Sequence, residues 1–197
     1  TYAMEGSIFI AGAGVQWLRD RMKFFKKAYE TEKILKSLND NKDVYLVPAF
    51  TGMGAPYWNQ NSRGVLSGLT RDTGPKEIVR ATIESVAYQT YDLFEAMKHD
   101  GLRPKIVKVD GGMVMNNWFS QFLSDIVNVK VLRPKVQETT ALGAAFMAGL
   151  HIGVYKSLKD ISKNWNLDKK FSPKIKNPVR NKLLKGWTSA IKKTLSN

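Results

Sequence analysis

The 197-residue sequence contains no cysteine. That excludes disulfides, thiolate nucleophiles and thiolate metal sites, and it fits a reducing compartment, so a cytoplasmic location is expected. Histidine is almost as scarce. His99 and His151 each stand without a second ligand at metal spacing, and both read as structural. No apolar run approaches the roughly 18 residues of a membrane helix, so no membrane contact is expected. No secretory signal is visible, and the chain opens at Thr1 without an initiating Met, so its natural N-terminus is expected upstream.

Recognisable active-site motifs are missing as well. There is no G-x-x-x-x-G-K-[ST] phosphate loop, and no G-x-G-x-x-G follows a strand. No Ser/His/Asp set or paired carboxylates stand out. Acidic residues are few, 17 against 31 basic ones, which leaves a formal charge of +14. Between Lys156 and Asn197 there are 12 basic and 2 acidic residues, so most of the excess lies in this tail. A basic excess invites a nucleic-acid reading, but only 8 of the 31 are Arg and no RRM, KH or zinc signature accompanies them. A solvated, lysine-rich surface is the expectation, with no nucleic-acid partner.

Apolar residues make up 43% of the chain, enough for a substantial core. Hydrophobic periodicity predicts strands alternating with helices, an α/β pattern with some parallel pairing. Residues 2–5 read as a strand tail, and 6–25 become helical on Val15, Leu18, Met22 and Phe25. Residues 26–41 read as polar helix and 43–50 as a buried strand stopped by Pro48. The Gly/Pro/Asn loop 51–64 is long and aromatic enough to expect a functional part. A short strand spans 64–69, and a long helix opens at Asp72 or Thr73 with Pro75 in its first turn. Strand 105–110, helix 116–127, strand 129–133 and helix 140–152, capped by Thr140, follow. A helix near 157–164, a Pro/Lys loop over 168–178 and a last helix from Pro178 complete the pattern. The helix at 140–152, rich in small residues, is expected to pack tightly on the sheet.

Two glycine-rich places are the candidates for chemistry. In "AGAGVQW" (11–17), Gly12 and Gly14 open a helix and Gln16 follows one turn after Gly12. Either bare backbone lies against a ligand there, with Gln16 donating from the same face, or the helix merely packs closely. In "IVKVDGGMVMNN" (106–117), a strand runs into Asp110, Gly111 and Gly112, and Asn116-Asn117 begin a helix. Exposed glycyl backbone and free helix-start N–H groups suit an anion or a polar nucleoside, although an Asn there also serves as an N-cap.

Residues 64–84, "GVLSGLTRDTGPKEIVRATIE", are similar throughout to the second signature of the FGGY carbohydrate kinases. "YAMEGSIFIAGAGVQWLRD" (2–20), "VPAFTGMGAPYW" (47–58) and "VDGGMVMNNWFSQFLSDI" (109–126) resemble the glycerol-phosphorylating members of that family. The likeness runs from residue 2 to about 190 and is weakest after 156. It implies an actin/hexokinase-like (ribonuclease H-like) second domain, a mixed sheet flanked by helices. It also implies a division into a nucleotide-binding domain over 1–165 and a basic extension over 166–197 whose last helix docks on the same domain. Carried over by motif, Gly12, Gln16, Gly112 and Asn116 bind the nucleotide, with Asp110 and Gly111 in support. Asn59 stands where relatives often carry Asp.

The implied activity belongs to a longer enzyme that moves the γ-phosphate of ATP, with Mg²⁺, to glycerol, giving glycerol 3-phosphate and ADP. Its catalytic Asp and glycerol pocket have no match here, so no catalytic or metal-binding residue is assigned and the chain alone is expected to be inactive. A homo-oligomer is expected of the full-length enzyme. A kinase for another polyol or sugar is the alternative, and a basic binding module is the reading from a different class.

Overall fold

A computed structural model describes residues 3–196. Its main sheet has three strands: β3 (Ile106–Lys108), β4 (Lys130–Pro134) and β5 (Leu167–Phe171). Strands β3 and β4 are parallel, with Ile106 beside Lys130 and Lys108 beside Leu132. Strands β4 and β5 are antiparallel, Val131 facing Phe171 and Arg133 facing Lys169. The sheet is therefore mixed, as expected. A separate antiparallel pair joins β1 (Tyr45–Val47) and β2 (Val65–Ser67).

Around these lie α1 (Gly12–Asp20), α2 (Glu30–Lys36), the long α3 (Pro75–His99), α4 (Asn117–Val127), α5 (Thr139–His151), α6 (Leu158–Ser162) and α7 (Asn177–Leu195). Helix α3 is the spine. The stripe Val79, Ile83, Val86 is buried on it, facing Phe119, Phe122 and Ile126 of α4. The same helix carries a buried charge pair. Arg80 Nε meets Glu84 Oε1 at 2.7 Å, and Tyr88 donates its hydroxyl to Glu84 Oε2 at 2.9 Å. Burial pushes the Glu84 carboxyl upward, against the pull of the Arg80 guanidinium and the Tyr88 hydrogen bond.

Several sequence expectations change. Residues 3–5 pair with nothing among the described residues, so they form no strand; Tyr2 lies outside the described residues. Helix α1 is shorter than its periodicity suggested, ending before Met22 and Phe25. Neither Asp72 nor Thr73 caps α3. Gly74 is the N-cap, the Glu77 carboxylate accepts its N–H at 3.0 Å, and Thr73 Oγ1 is occupied by Thr70 N at 2.9 Å. Helix α5 starts at Thr139 with Glu138 as N-cap and no side-chain cap, so Thr140 does not cap it. Nor is α5 packed tightly. Only Gly149 is buried on it, and Met147 is 52% exposed. Its small residues would fit against a close neighbour, but a Cβ on Gly143 would meet nothing within 4 Å, and one on Gly149 would meet Tyr155, just past the helix's own end, at 2.9 Å.

The largest correction concerns the basic tail. Residues 167–171 are not a loop but strand β5, whose exposed lysines mask the usual alternation while blunting a sheet edge. Helix α7 buries Leu184, Trp187, Ala190 and Ile191 in the same core as α3 and α4. Trp187 stacks on Tyr88 with ring centroids 5.3 Å apart.

Asp92 ties this tail to the 51–64 loop. Its Oδ2 accepts from Trp187 Nε1 at 2.7 Å and from the Tyr57 hydroxyl at 2.9 Å. Burial lifts the Asp92 carboxyl from 3.8 to about 6, in spite of those two hydrogen bonds. The folded protein therefore holds this proton to higher pH than the unfolded chain does. Stability falls as pH rises through the window between 3.8 and about 6, and the loss stays in place above it. Asp92→Asn keeps an acceptor for both donors and removes the charge. It is expected to match or exceed the parent in stability at pH 8 and to flatten that part of the pH profile. Urea melts from pH 4 to 8 check this; a marked loss of stability at pH 8 would show that the ionised carboxylate is itself stabilising.

Candidate functional site

Gly12 and Gly14 lie two residues apart and do different work. A Cβ on Gly14 would meet Thr82 Cγ2 of α3 at 3.0 Å, whereas a Cβ on Gly12 would meet nothing within 4 Å. Gly14 is thus the close-packing residue, and Gly12 opens onto empty space. Gln16, one turn on, lines the same space.

The second glycine pair follows β3, at the carboxyl end of a parallel pair, where open α/β sheets commonly place ligands. Gly111 adopts φ +82°, in the left-handed region that L side chains avoid, so this is where the chain makes its turn. Gly111 N donates to Gln137 O at 3.2 Å, and Thr139 Oγ1 donates to an Asp110 carboxylate oxygen. Both contacts join the ends of the two parallel strands. Gly112 begins a short 3₁₀ turn (Gly112–Met115), and a Cβ on it would meet nothing within 4 Å.

Asn116 then caps α4, its Oδ1 accepting from Phe119 N at 3.0 Å. Its Nδ2 donates to Thr31 Oγ1 at 3.2 Å. The cap role and a place at the site are therefore compatible.

Gly12, Gln16, Gly112 and Asn116 line one cavity of about 400 Å³. That is the size range of ordinary small-molecule sites. Val15, Ala28, Ile83, Met113 and Met115 give it apolar walls, and Arg19, Tyr29, Thr31 and Glu32 add polar groups. Asp110 and Gly111 do not line it; they hold the turn that does. Both ends of the cavity come from helix or turn starts with bare backbone, an arrangement suited to a polar ligand with a flat apolar part.

The residues that the sequence did not disclose are those reached over long separations. Glu32 Oε2 accepts from Asn117 N at 3.2 Å, and Lys36 Nζ reaches Glu32 Oε1 at 2.6 Å. Burial pushes the Glu32 carboxyl up, but the hydrogen bonds from Lys36 and Asn117 outweigh it and hold it below its ordinary value. Arg133 on β4, 6% exposed, donates through Nη1 to Val114 O at 2.8 Å and more weakly to Met115 O. Asp168 on β5 orients it, 2.7 Å from Nε. The glycine turn is thus buttressed from below by a buried guanidinium that the tail strand holds in place. In sequence these look like one polar helix, one strand arginine and one tail aspartate. Nothing local marks them.

The 51–64 loop closes on itself. Met53 N donates to Asn59 O at 2.7 Å, and Asn59 Oδ1 accepts from Asn61 N and Ser62 N at 2.9 and 3.0 Å. Asn59 therefore serves as a turn former. The cavity beneath this loop, beside Tyr57 and Asp92, has a volume of about 20 Å³, room for no more than a water.

A mixed sheet with helices of this order, and a glycine-floored cleft beyond its parallel strands, fit the actin/hexokinase-like class that the resemblance implied. Solved structures agree on the fold. Plasmodium falciparum glycerol kinase, crystallised with ADP, superposes with a TM-score of 0.86 at 35% identity, covering 96% of this chain and 38% of that one. A ligand-bound xylulose kinase from Lactobacillus acidophilus gives 0.77 at 24% identity, over 95% and 38%, a likeness of fold alone. Residues 1–152 match the model of the FGGY family of carbohydrate kinases, C-terminal domain. The chain belongs to that family. It is 54% identical over 196 residues to glycerol kinase 1 of Pseudomonas aeruginosa and 52% identical over 195 residues to a glycerol kinase of Clostridium botulinum. Those alignments take in 100% and 98% of this chain but only 40% and 39% of the relatives, so the chain spans about two fifths of their length.

Proposed function

We propose that this chain is the nucleotide-holding domain of a glycerol kinase, an enzyme that transfers the terminal phosphoryl group of ATP to a hydroxyl of glycerol. The observation that carries the reading is the convergence of Gly12, Gln16, Gly112 and Asn116 on one cavity, from two stretches about 100 residues apart in sequence. Similarity to the glycerol kinases named above supports the choice of substrate. In this reading the apolar walls take the base, Gln16 and Asn116 offer amides, and the bare backbone at Gly12 and Gly112 admits the ribose and phosphates.

Phosphoryl transfer further requires a group to receive the glycerol proton and stabilisation of the charge on the moving phosphoryl. Among the described residues of this cleft, Glu32 is the one carboxylate, and Lys36 and Asn117 engage it. We therefore place the base and the glycerol pocket in a preceding domain of the full-length enzyme. No group of three or more acidic or histidine side chains clusters among the described residues, so none of them is assigned to hold Mg²⁺. No step is assigned to that ion here. The working enzyme is further proposed to be a cytoplasmic homo-oligomer.

Residues 1–197 alone are expected to show no turnover with Mg-ATP and glycerol above background, in a coupled assay for ADP. Clear turnover would overturn the division of labour between the two domains.

A further inference from the structure

The turn that carries Gly112 is strapped to the β4 side at both ends. At its start, Gly111 N donates to Gln137 O at 3.2 Å and Thr139 Oγ1 donates to the Asp110 carboxylate, both just beyond β4. At its end the strap is a single side chain. Arg133, buried on β4, donates through Nη1 to Val114 O at 2.8 Å and to Met115 O at 3.3 Å. Its Nη2 donates to Asn117 Oδ1 at 3.3 Å, and the guanidinium carbon sits over the Phe171 ring, 5.6 Å from its centroid. Each peptide unit is planar, so holding the Val114 and Met115 carbonyls sets the planes that lead into Met115 and Asn116. Those two residues line the cavity.

The guanidinium is oriented in turn from the tail. Asp168 Oδ2 on β5 lies 2.7 Å from Nε, and the next residue, Lys169, donates from Nζ to Asn117 Oδ1 at 3.1 Å. The Asp168 side chain is 39% exposed, so its removal opens no cavity in the core. A tail that reads as solvated surface thus has two residues engaged beneath the cavity turn.

We infer that Arg133 is a positioning residue for nucleotide binding, and that strand β5, through Asp168, is a working part of the site. This rests on the nucleotide reading of the cavity. Arg133 does not itself line the cavity. It acts through Met115 and Asn116, whose carbonyl supports converge on one charged fork that a point charge on a flexible stem does not replace.

The test is equilibrium titration of the 197-residue chain with ADP, at a temperature where melts show each variant folded. Arg133→Lys keeps the charge but sets one ammonium where four acceptors converge, so ADP affinity is expected to fall roughly tenfold. Asp168→Ala leaves Nε without its partner and should weaken ADP about threefold, whereas Asp168→Asn keeps an acceptor oxygen and should stay within about twofold of the parent. Trp187→Phe lowers stability from α7 without altering Arg133 or its partners, and it should bind ADP as the parent does. That control and the rescue by Asn separate positioning from a merely structural role, which would lower affinity in step with melting temperature in every variant. Should Arg133→Lys fail to fold, the two Asp168 variants decide alone. Parent-like ADP binding by a folded Arg133→Lys or by Asp168→Ala, or affinity losses that follow melting temperature in Trp187→Phe as well, overturn the inference and leave the nucleotide reading standing. Absence of ADP binding by the parent overturns both.

Discussion

Gly112→Val is expected to weaken nucleotide binding at least tenfold while leaving the fold intact. The two effects separate because the space beside Gly112 belongs to the cavity and not to the core. A Cβ there meets nothing within 4 Å, and the backbone lies outside the left-handed region. The substitution should therefore cost little, within roughly 1 kcal/mol, since the glycine sits in a short exposed 3₁₀ turn and not in a packed helix. The two γ-methyls of valine, by contrast, fill the approach to bare backbone. Losing a close backbone contact and displacing the ligand should weaken binding at least tenfold, which corresponds to about 1.4 kcal/mol. Gly111→Val makes the contrast. There φ is +82°, and the expected cost falls on stability because a β-branched residue is strained in that region. Asn116→Ala should lie between the two. It loses one polar contact, worth roughly 0.5–1.5 kcal/mol net, and an N-cap worth about 0.5–2 kcal/mol of stability. Thermal melts beside ADP titrations distinguish these cases. If Gly112→Val folds and binds ADP like the parent, the glycine is only part of a tight turn.

Trp187→Ala is expected to be the most damaging single change outside the cavity, costing about 3–5 kcal/mol, the usual range for deleting a buried aromatic. Trp187 is 1% exposed, stacks on Tyr88 and supplies one of the two hydrogen bonds to Asp92. Its loss leaves a cavity and a half-satisfied buried carboxyl together. Against a typical total of about 5–15 kcal/mol, that change brings a domain of this size near its threshold. Trp187→Phe keeps most of the packing and loses the indole N–H, so it should cost markedly less. Urea denaturation of the two variants checks the order. A Trp187→Ala midpoint close to the parent's would mean that α7 is only loosely attached.

What the sequence showed and what it hid follow from the range of the interactions. The body of α3, α4 and its Asn116 cap, and the turn at Gly111 are local patterns, set by helical spacing and backbone freedom, and they could be read directly. So could the four cavity residues as separate candidates, whereas their meeting was an expectation of the family resemblance alone. Strand β5 was hidden because an edge strand bearing Lys169 and Lys170 lacks alternation. The cap of α3 was misplaced because Glu77 reaches back to Gly74 and leaves Thr73 to pair with Thr70. Helix α5 shows the reverse failure. Its small residues promised tight packing, but local composition does not say whether a partner lies nearby. Thr31, Glu32, Arg133 and Asp168 act through contacts between residues 16 to 85 positions apart, and such pairs leave no trace in local spacing.

The most direct test of the nucleotide site is an ADP titration of the ¹⁵N-labelled chain followed by its backbone amide resonances. The account predicts saturable shifts centred on Gly12, Gln16, Gly112 and Asn116, with the 51–64 loop and α5 left in place. Saturating shifts elsewhere with these four amides unmoved, or no shifts at all at millimolar ADP, would contradict it.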